Sequence, residues 1–138
     1  MSQATIRAGF ETRLKTWADA QTPAIPIAWQ NVNFAPPVSG ARYVRAFLLP
    51  AATQVLSLDG ICKTWKGVFQ VSFCVPIGVG SGTVESLAAS LGAVFSASFV
   101  HGGLRIYLIE PFSMASAINE PDRYVVPLSA SYRVDTVA

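Results

Sequence analysis

Few residues in this sequence are equipped for chemistry. A glycine run, Gly78-Val79-Gly80-Ser81-Gly82, follows a strand-like segment and precedes a helical one, which is the layout of a phosphate cradle. A P-loop would end in Gly-Lys-Ser/Thr, and a dinucleotide fingerprint would need glycine at position 83; the chain instead reads Gly80-Ser81-Gly82-Thr83. The run is therefore read as a turn that folds a helix back on a sheet, with a small-molecule site at Gly78 to Gly82 as the alternative. His101 is the single histidine, so any Ser-His-acid triad would have to use it. It sits beside Gly102-Gly103, a hairpin-turn signal, and no nucleophile-elbow pattern accompanies it. Cys62 and Cys74 have neither zinc spacing nor a CxxC pattern and are read as buried free thiols in a reducing cytosol. Glu120 and Asp122 flank Pro121; paired acids can do acid–base work, but an exposed turn explains them better. Arg42, Arg45, Lys63 and Lys66 could make a basic band across two strands, or simply be solvated strand edges. Trp17, Trp29 and Trp65 could stack on bases, although Trp17 and Trp65 fall on apolar stripes. No catalytic residue, cofactor site or metal ligand is assigned, and the residues favour an assembly protein over an enzyme.

The elements that would carry these residues follow from periodicity. Ile6, Phe10, Leu14, Trp17 and Ala18 recur at helical spacing, and Pro23 and Pro26 close that helix. Ile25, Ile27 and Trp29 share one strand parity and Val32 and Phe34 the other, so a kink near Gln30-Asn31 would bring the two sets together. Pro36, Pro37, Ser39 and Gly40 form a turn before a strand over Arg42 to Leu49. Thr64 to Val75 alternates most clearly, with Trp65, Phe69, Val71, Phe73 and Val75 on one face. A second helix carries Val84, Leu87, Ala88, Leu91 and Phe95, with Glu85 near its positive end. Leu104 to Glu110 and Tyr124 to Val134 are strands, with an irregular segment or a short strand from Pro111 to Pro121 between them. Pro127 suggests an edge or a bulge in the last strand. The order gives an α+β domain spanning 1–138: a mostly antiparallel mixed sheet of about five strands, with two helices packed on one face.

Composition then excludes several classes. Hydrophobic residues are 51% and charged residues 13%, the opposite of a disordered chain. Net charge is +2, too small to argue for nucleic acid binding. The best candidate stretch without formal charge, Ser86 to Leu104, holds four serines, a histidine and a Gly-Gly pair, with its apolar residues on one face, so no membrane span is assigned. The mean hydropathy of +0.42 leaves more apolar surface than one core can hide, and self-association is the simplest way to cover it. The connection Ala51 to Ile61 is the first candidate for such a contact: it carries Val55, Leu56 and Leu58, with Asp59 its only charge. Phe112 and Met114 come next.

The order of segments resembles a known family. Ile27-Ala28-Trp29-Gln30-Asn31-Val32-Asn33-Phe34 with Pro36-Pro37, then Tyr43-Val44-Arg45, Gly67 through Pro76, Gly78-Val79-Gly80, a helix with Leu87-Ala88 and Phe95, and Tyr124 through Arg133 together resemble the tail terminator proteins of long-tailed bacteriophages, the lambda minor tail protein U type. The resemblance implies a non-enzymatic virion protein without a cofactor, assembled in the host bacterial cytoplasm. It implies a hexameric ring that docks on the tail tube, stops its polymerisation and offers a surface to the head completion or connector protein. DNA would meet it only in transit through the lumen. A head–tail connector or tube component is the alternative within the same setting.

Overall fold

The computed structural model describes residues 3–21, 24–35, 41–78, 82–95, 98–119 and 123–137. Helix α1 (Gln3–Asp19) buries Ile6, Phe10, Leu14, Trp17 and Ala18, the stripe its spacing demands. Helix α2 (Gly82–Val94) buries Val84, Leu87 and Leu91, and Phe95 follows directly beneath. The Trp17 indole N–H donates to Ser90 Oγ at 3.0 Å, and Arg13 donates to the Val94 carbonyl at 3.3 Å. These bonds join the two helices and satisfy one of the carbonyls that a helix end leaves open.

Both helices lie on one face of a single sheet. Its strands are β1 (Ile27–Ala28), β2 (Tyr43–Pro50), β3 (Gln54–Val55), β4 (Cys62–Pro76), β5 (Ser98–His101), β6 (Leu104–Met114), β7 (Ile118–Asn119) and β8 (Arg123–Val137). The spatial order is β1-β2-β4-β8-β6-β5, with β3 beside β4 and β7 beside β8. Pairing is antiparallel except for β1 with β2, which is parallel. The spine is β4 against β8, in register from Cys62↔Val137 to Pro76↔Arg123. Phe69, Val71, Phe73 and Val75 of β4 and Val126, Leu128, Ala130, Tyr132 and Val134 of β8 are buried, and their shared parity puts them under the helices.

At the centre of this core, six aromatic rings meet. Phe10 of α1 stacks on Phe69 at 4.6 Å between centroids and touches Phe95, Phe99 and Tyr132 at 5.8, 5.3 and 5.3 Å. Phe112 closes the cluster from β6, 5.2 Å from Phe95 and 6.3 Å from Phe69. Offset and edge contacts of this kind add to simple area burial. Tyr132 needs room, and Gly67 opposite provides it: a Cβ at residue 67 would lie 2.5 Å from the Tyr132 hydroxyl oxygen and 2.7 Å from the Leu49 carbonyl. The freed hydroxyl donates to Gln3 Oε1 at 3.1 Å.

The α+β class stands, and the sheet has more strands than the expected five. The additions are two-residue pairings and the short β5, which leave little periodicity to read. The kink at Gln30-Asn31 is a turn, with Asn31 at φ +59° and the Val32 amide donating to the Trp29 carbonyl at 3.2 Å. It separates the two apolar sets rather than joining them. Ile25, Ile27 and Trp29 reach the helix-side core, Val32 is exposed, and Phe34 crosses to the open face against Tyr43 at 5.2 Å. Gln30 caps this turn, its Oε1 accepting from Arg7 at 2.9 Å and from the Leu48 amide at 3.0 Å, so it satisfies an edge N–H of β2. Pro127 lies in the central strand β8, not at an edge. Its carbonyl accepts from the Ala115 amide at 2.9 Å, so its nitrogen faces the same side, just where β6 has ended. Opposite this region β6 shifts register at Glu110 and Ser113. The proposed turns at 36–40 and 120–122, and the centre of the glycine run at 79–81, lie outside the described residues.

Replacing Phe69 with Ala removes the ring on which Phe10 stacks and is expected to lower stability by about 3–5 kcal/mol. Gly67→Ala is expected to cost about 1–3 kcal/mol by driving Tyr132 out of its place. Urea unfolding of both variants measures these losses.

Candidate functional site

The residues first considered for chemistry are spread apart. Cys62 and Cys74 are free thiols, the first half-buried and the second buried. They occupy opposite ends of β4, twelve residues of extended chain or roughly 40 Å apart, far beyond disulfide reach. His101 ends β5 half-buried, with its Cβ against Gly9 of α1, and the Gly102-Gly103 turn follows with φ +57° and +80°. Among the described residues no three His, Cys, Asp or Glu side chains converge on a metal position, and no helix is long and apolar enough to cross a membrane. Gly78 is exposed at φ +96° with open space around it. Glu120 and Asp122 lie outside the described residues. Trp17 is core; Trp65 is half-buried, with its indole N–H donating to Thr136 Oγ1 at 2.9 Å.

The four basic residues do not form one band. Arg45 sits opposite Ser72 and Lys66 opposite Arg133 on the open face, while Arg42 and Lys63 have the other parity. On that open face Arg45 and Arg123 approach the Tyr43 ring at 5.6 and 5.4 Å, and Arg45 donates to the Tyr43 hydroxyl at 3.0 Å. Burial raises the Tyr43 hydroxyl above its ordinary pKa, against the lowering effect of the Arg45 bond.

What the structure does assemble is apolar surface. The segment expected as a connection is a β-hairpin arm. Gln54 and Val55 pair with Thr64 and Lys63, the Leu56 amide donates to the Cys62 carbonyl at 2.8 Å, and the Ala51 amide donates to the Lys66 carbonyl at 2.9 Å. The Asp59-Gly60 signal marks its turn. Gly60 takes φ +76°, and the Asp59 carboxylate accepts from the Ser57 hydroxyl and, at 3.1 Å, from the Ile61 amide. Ser57 Oγ in turn accepts from the Cys62 amide at 3.1 Å. These bonds, the Ser57 hydroxyl first, hold the Asp59 carboxyl below its ordinary pKa. At the arm's base, buried Thr64 donates to Asp135 at 2.7 Å, and Asp135 also accepts from Arg133 at 3.1 Å. The arm is thus fixed at tip and base, yet its side chains are bare: Leu58 is fully exposed, Leu56 60%, with Val55 and Ile61 also exposed.

A second apolar surface lies across the sheet. β6 pairs with β5 only from Leu104 to Tyr107. Beyond it, no further strand covers the outer side of β6 among the described residues. Ile109 is exposed there, beside Tyr107, Val100 of β5 and Ile118 of β7, while Met114, opposite Leu128, is exposed on the helix-side face. Of the five interface candidates, Val55, Leu56 and Leu58 share the arm, Met114 lies on the opposite flank, and Phe112 turns half-buried into the aromatic cluster. Exposed large apolar side chains among the described residues, apart from Ile77, therefore fall into two groups on opposite edges of one sheet. Val32, Leu49, Val55, Leu56, Leu58 and Ile61 lie on the β2–β3 side, and Val100, Tyr107, Ile109, Met114 and Ile118 on the β5–β7 side. Sequence analysis missed Ile109 because alternation predicts a solvated outer face without saying that this strand borders on nothing.

Comparison with known proteins bears on this arrangement. A family model described as phage tail terminator protein matches residues 5–132. A solved structure superposes with TM-score 0.79 at 43% identity, over 97% of this chain and 96% of that chain. No match was found among curated proteins.

Because the Asp59 carboxyl is depressed below about 3.9, its turn bonds persist at and above that pH and are lost as pH falls through the lower folded value. Asp59→Ala is expected to accelerate hydrogen exchange at the Ile61 and Cys62 amides while leaving protection of β4 around Phe69 unchanged. Residue-resolved exchange by NMR checks this.

Proposed function

This chain belongs to the phage tail terminator family, and we propose that it acts as a closed ring of identical subunits that caps the tail tube. Membership makes it a structural component of tail assembly and of the virion tail. The ring, six-membered in the arrangement the resemblance implies, docks on the last tube ring, stops further addition and presents its other face to the head completion or connector protein. DNA passes through its lumen. Assembly takes place in the host cytoplasm, and the role is non-enzymatic.

One observation carries the ring: bare apolar side chains occupy the two opposite edges of the sheet. Two unlike patches on opposite flanks support head-to-tail association, which closes into a ring when the rotation between neighbours divides a full turn. A single self-complementary patch would instead give a two-fold dimer. Termination then needs no chemistry. A ring whose upper face differs from the growing end of the tube gives the next tube subunit nothing to match.

The test mixes this protein with its purified tail tube protein during polymerisation. Tubes are expected to shorten as the protein is added, with extra density at one end by electron microscopy. A chain that stays monomeric by light scattering at every concentration and leaves tube length unchanged contradicts the reading. One that polymerises into tubes itself is a tube component instead.

A further inference from the structure

We propose that the β3–β4 arm of one subunit seats on the β6 flank of the next, with Leu56 and Leu58 packing against Tyr107 and Ile109. This rests on the ring reading and names its subunit contact. The occupant of each patch is thus a second copy of this chain.

Four observations select it. The surfaces match in chemistry: each is apolar, and each carries one acid and one base, Asp59 and Lys63 on the arm and Arg105 and Glu110 on the flank. With the arm tip directed toward the β5 end of β6, Asp59 meets Arg105 and Lys63 meets Glu110. Two arms facing each other would leave the β6 flank bare. The arm is also already in shape, held by the Ser57–Asp59–Ile61 turn and the Thr64–Asp135 bond, so binding orders little new backbone. Docking proceeds through side chains rather than strand addition, because Pro111 and the register shifts at Glu110 and Ser113 break the free edge of β6. Finally, the area fits a contact that needs help. The arm bares four aliphatic side chains, Val55, Leu56, Leu58 and Ile61, too few by themselves to fill the ~800 Å² per partner of a stable interface. The ring then forms readily only where the tube end adds further contacts.

Cross-linking decides this. In a Cys62→Ser background, Leu58→Cys and Ile109→Cys are made singly and together, and treated with a short bismaleimide in the presence of tail tubes. Both positions are solvent-exposed, so the unfolding midpoint should stay at the parent value. The double variant is expected to give a covalent ladder ending at the ring size. A mixture of the two single variants should stop at a covalent dimer, and each single variant alone should stay monomeric. A dimer from Leu58→Cys alone would mean that arms meet each other. Normal capping without cross-links would overturn the arm–flank contact while leaving the ring intact. Failure of the parent protein to cap tubes would overturn the ring as well. As a second measurement, made in the presence of tail tubes, Leu56→Asp/Leu58→Asp and Tyr107→Asp/Ile109→Asp should each abolish rings alone, yet form a 1:1 dimer when mixed, since each keeps the half the other lacks. A mixture that yields no dimer contradicts the proposal.

Discussion

The stack of Phe10 on Phe69 is the contact on which the rest of this structure depends. It fixes α1 across the middle of β4, and through Phe95 and Phe99 it draws in the end of α2 and the β5–β6 hairpin. The Trp17–Ser90 bond then sets one helix beside the other. Two helices of 17 and 13 residues are wide enough to roof one sheet face and no more. The opposite face is left with a small satellite cluster of Tyr43, Cys74 and Val125, touched by Phe34, and with polar residues such as Gln70, Ser129 and Ser131. Its arginines and serines make it tolerable in water. The edges have no such relief, and there the chain leaves its aliphatic side chains uncovered.

That division of labour explains how a small domain can serve assembly without chemistry. The core under the helices makes a rigid body, with β4 and β8 as its spine. The arm is an extension of β4 rather than a separate flap, and the Thr64–Asp135 bond ties its base to β8. The β6 flank is anchored to the aromatic cluster by Phe112, which points inward while Ile109 on its own strand stays outside. Both edges are therefore referenced to one core, and the angle between neighbours in a ring would be set by a single stiff unit.

Much of the fold could be read from residue spacing, because the helix stripes and the alternation of β4 are driven by burial against one face. The turns at Asp59-Gly60 and Gly102-Gly103 were legible for the same local reason: glycine relieves a backbone that other residues resist. What escaped depended on partners distant in sequence. Pro127 looked like an edge residue because proline lacks a donor, yet here its nitrogen simply faces the place where β6 stops. Phe34 shares strand parity with Val32, but the left-handed Asn31 and the grip of Gln30 on Arg7 and Leu48 send it to the far face. The arm's apolar residues stood out through the lack of charge in a connecting segment. Their counterpart on β6 could be seen only once the strand order showed which edge lies open.

The central claim is that unlike edges of identical subunits meet head to tail. Electron microscopy of capped tail tubes, averaged along the tube axis and resolved to the level of strands, tests it most directly. The account predicts one closed ring with cyclic symmetry at the tube end, every subunit placing its β3–β4 arm on the β6 edge of the next. A terminal layer of two-fold dimers, or of separate subunits held only by the tube, would contradict it.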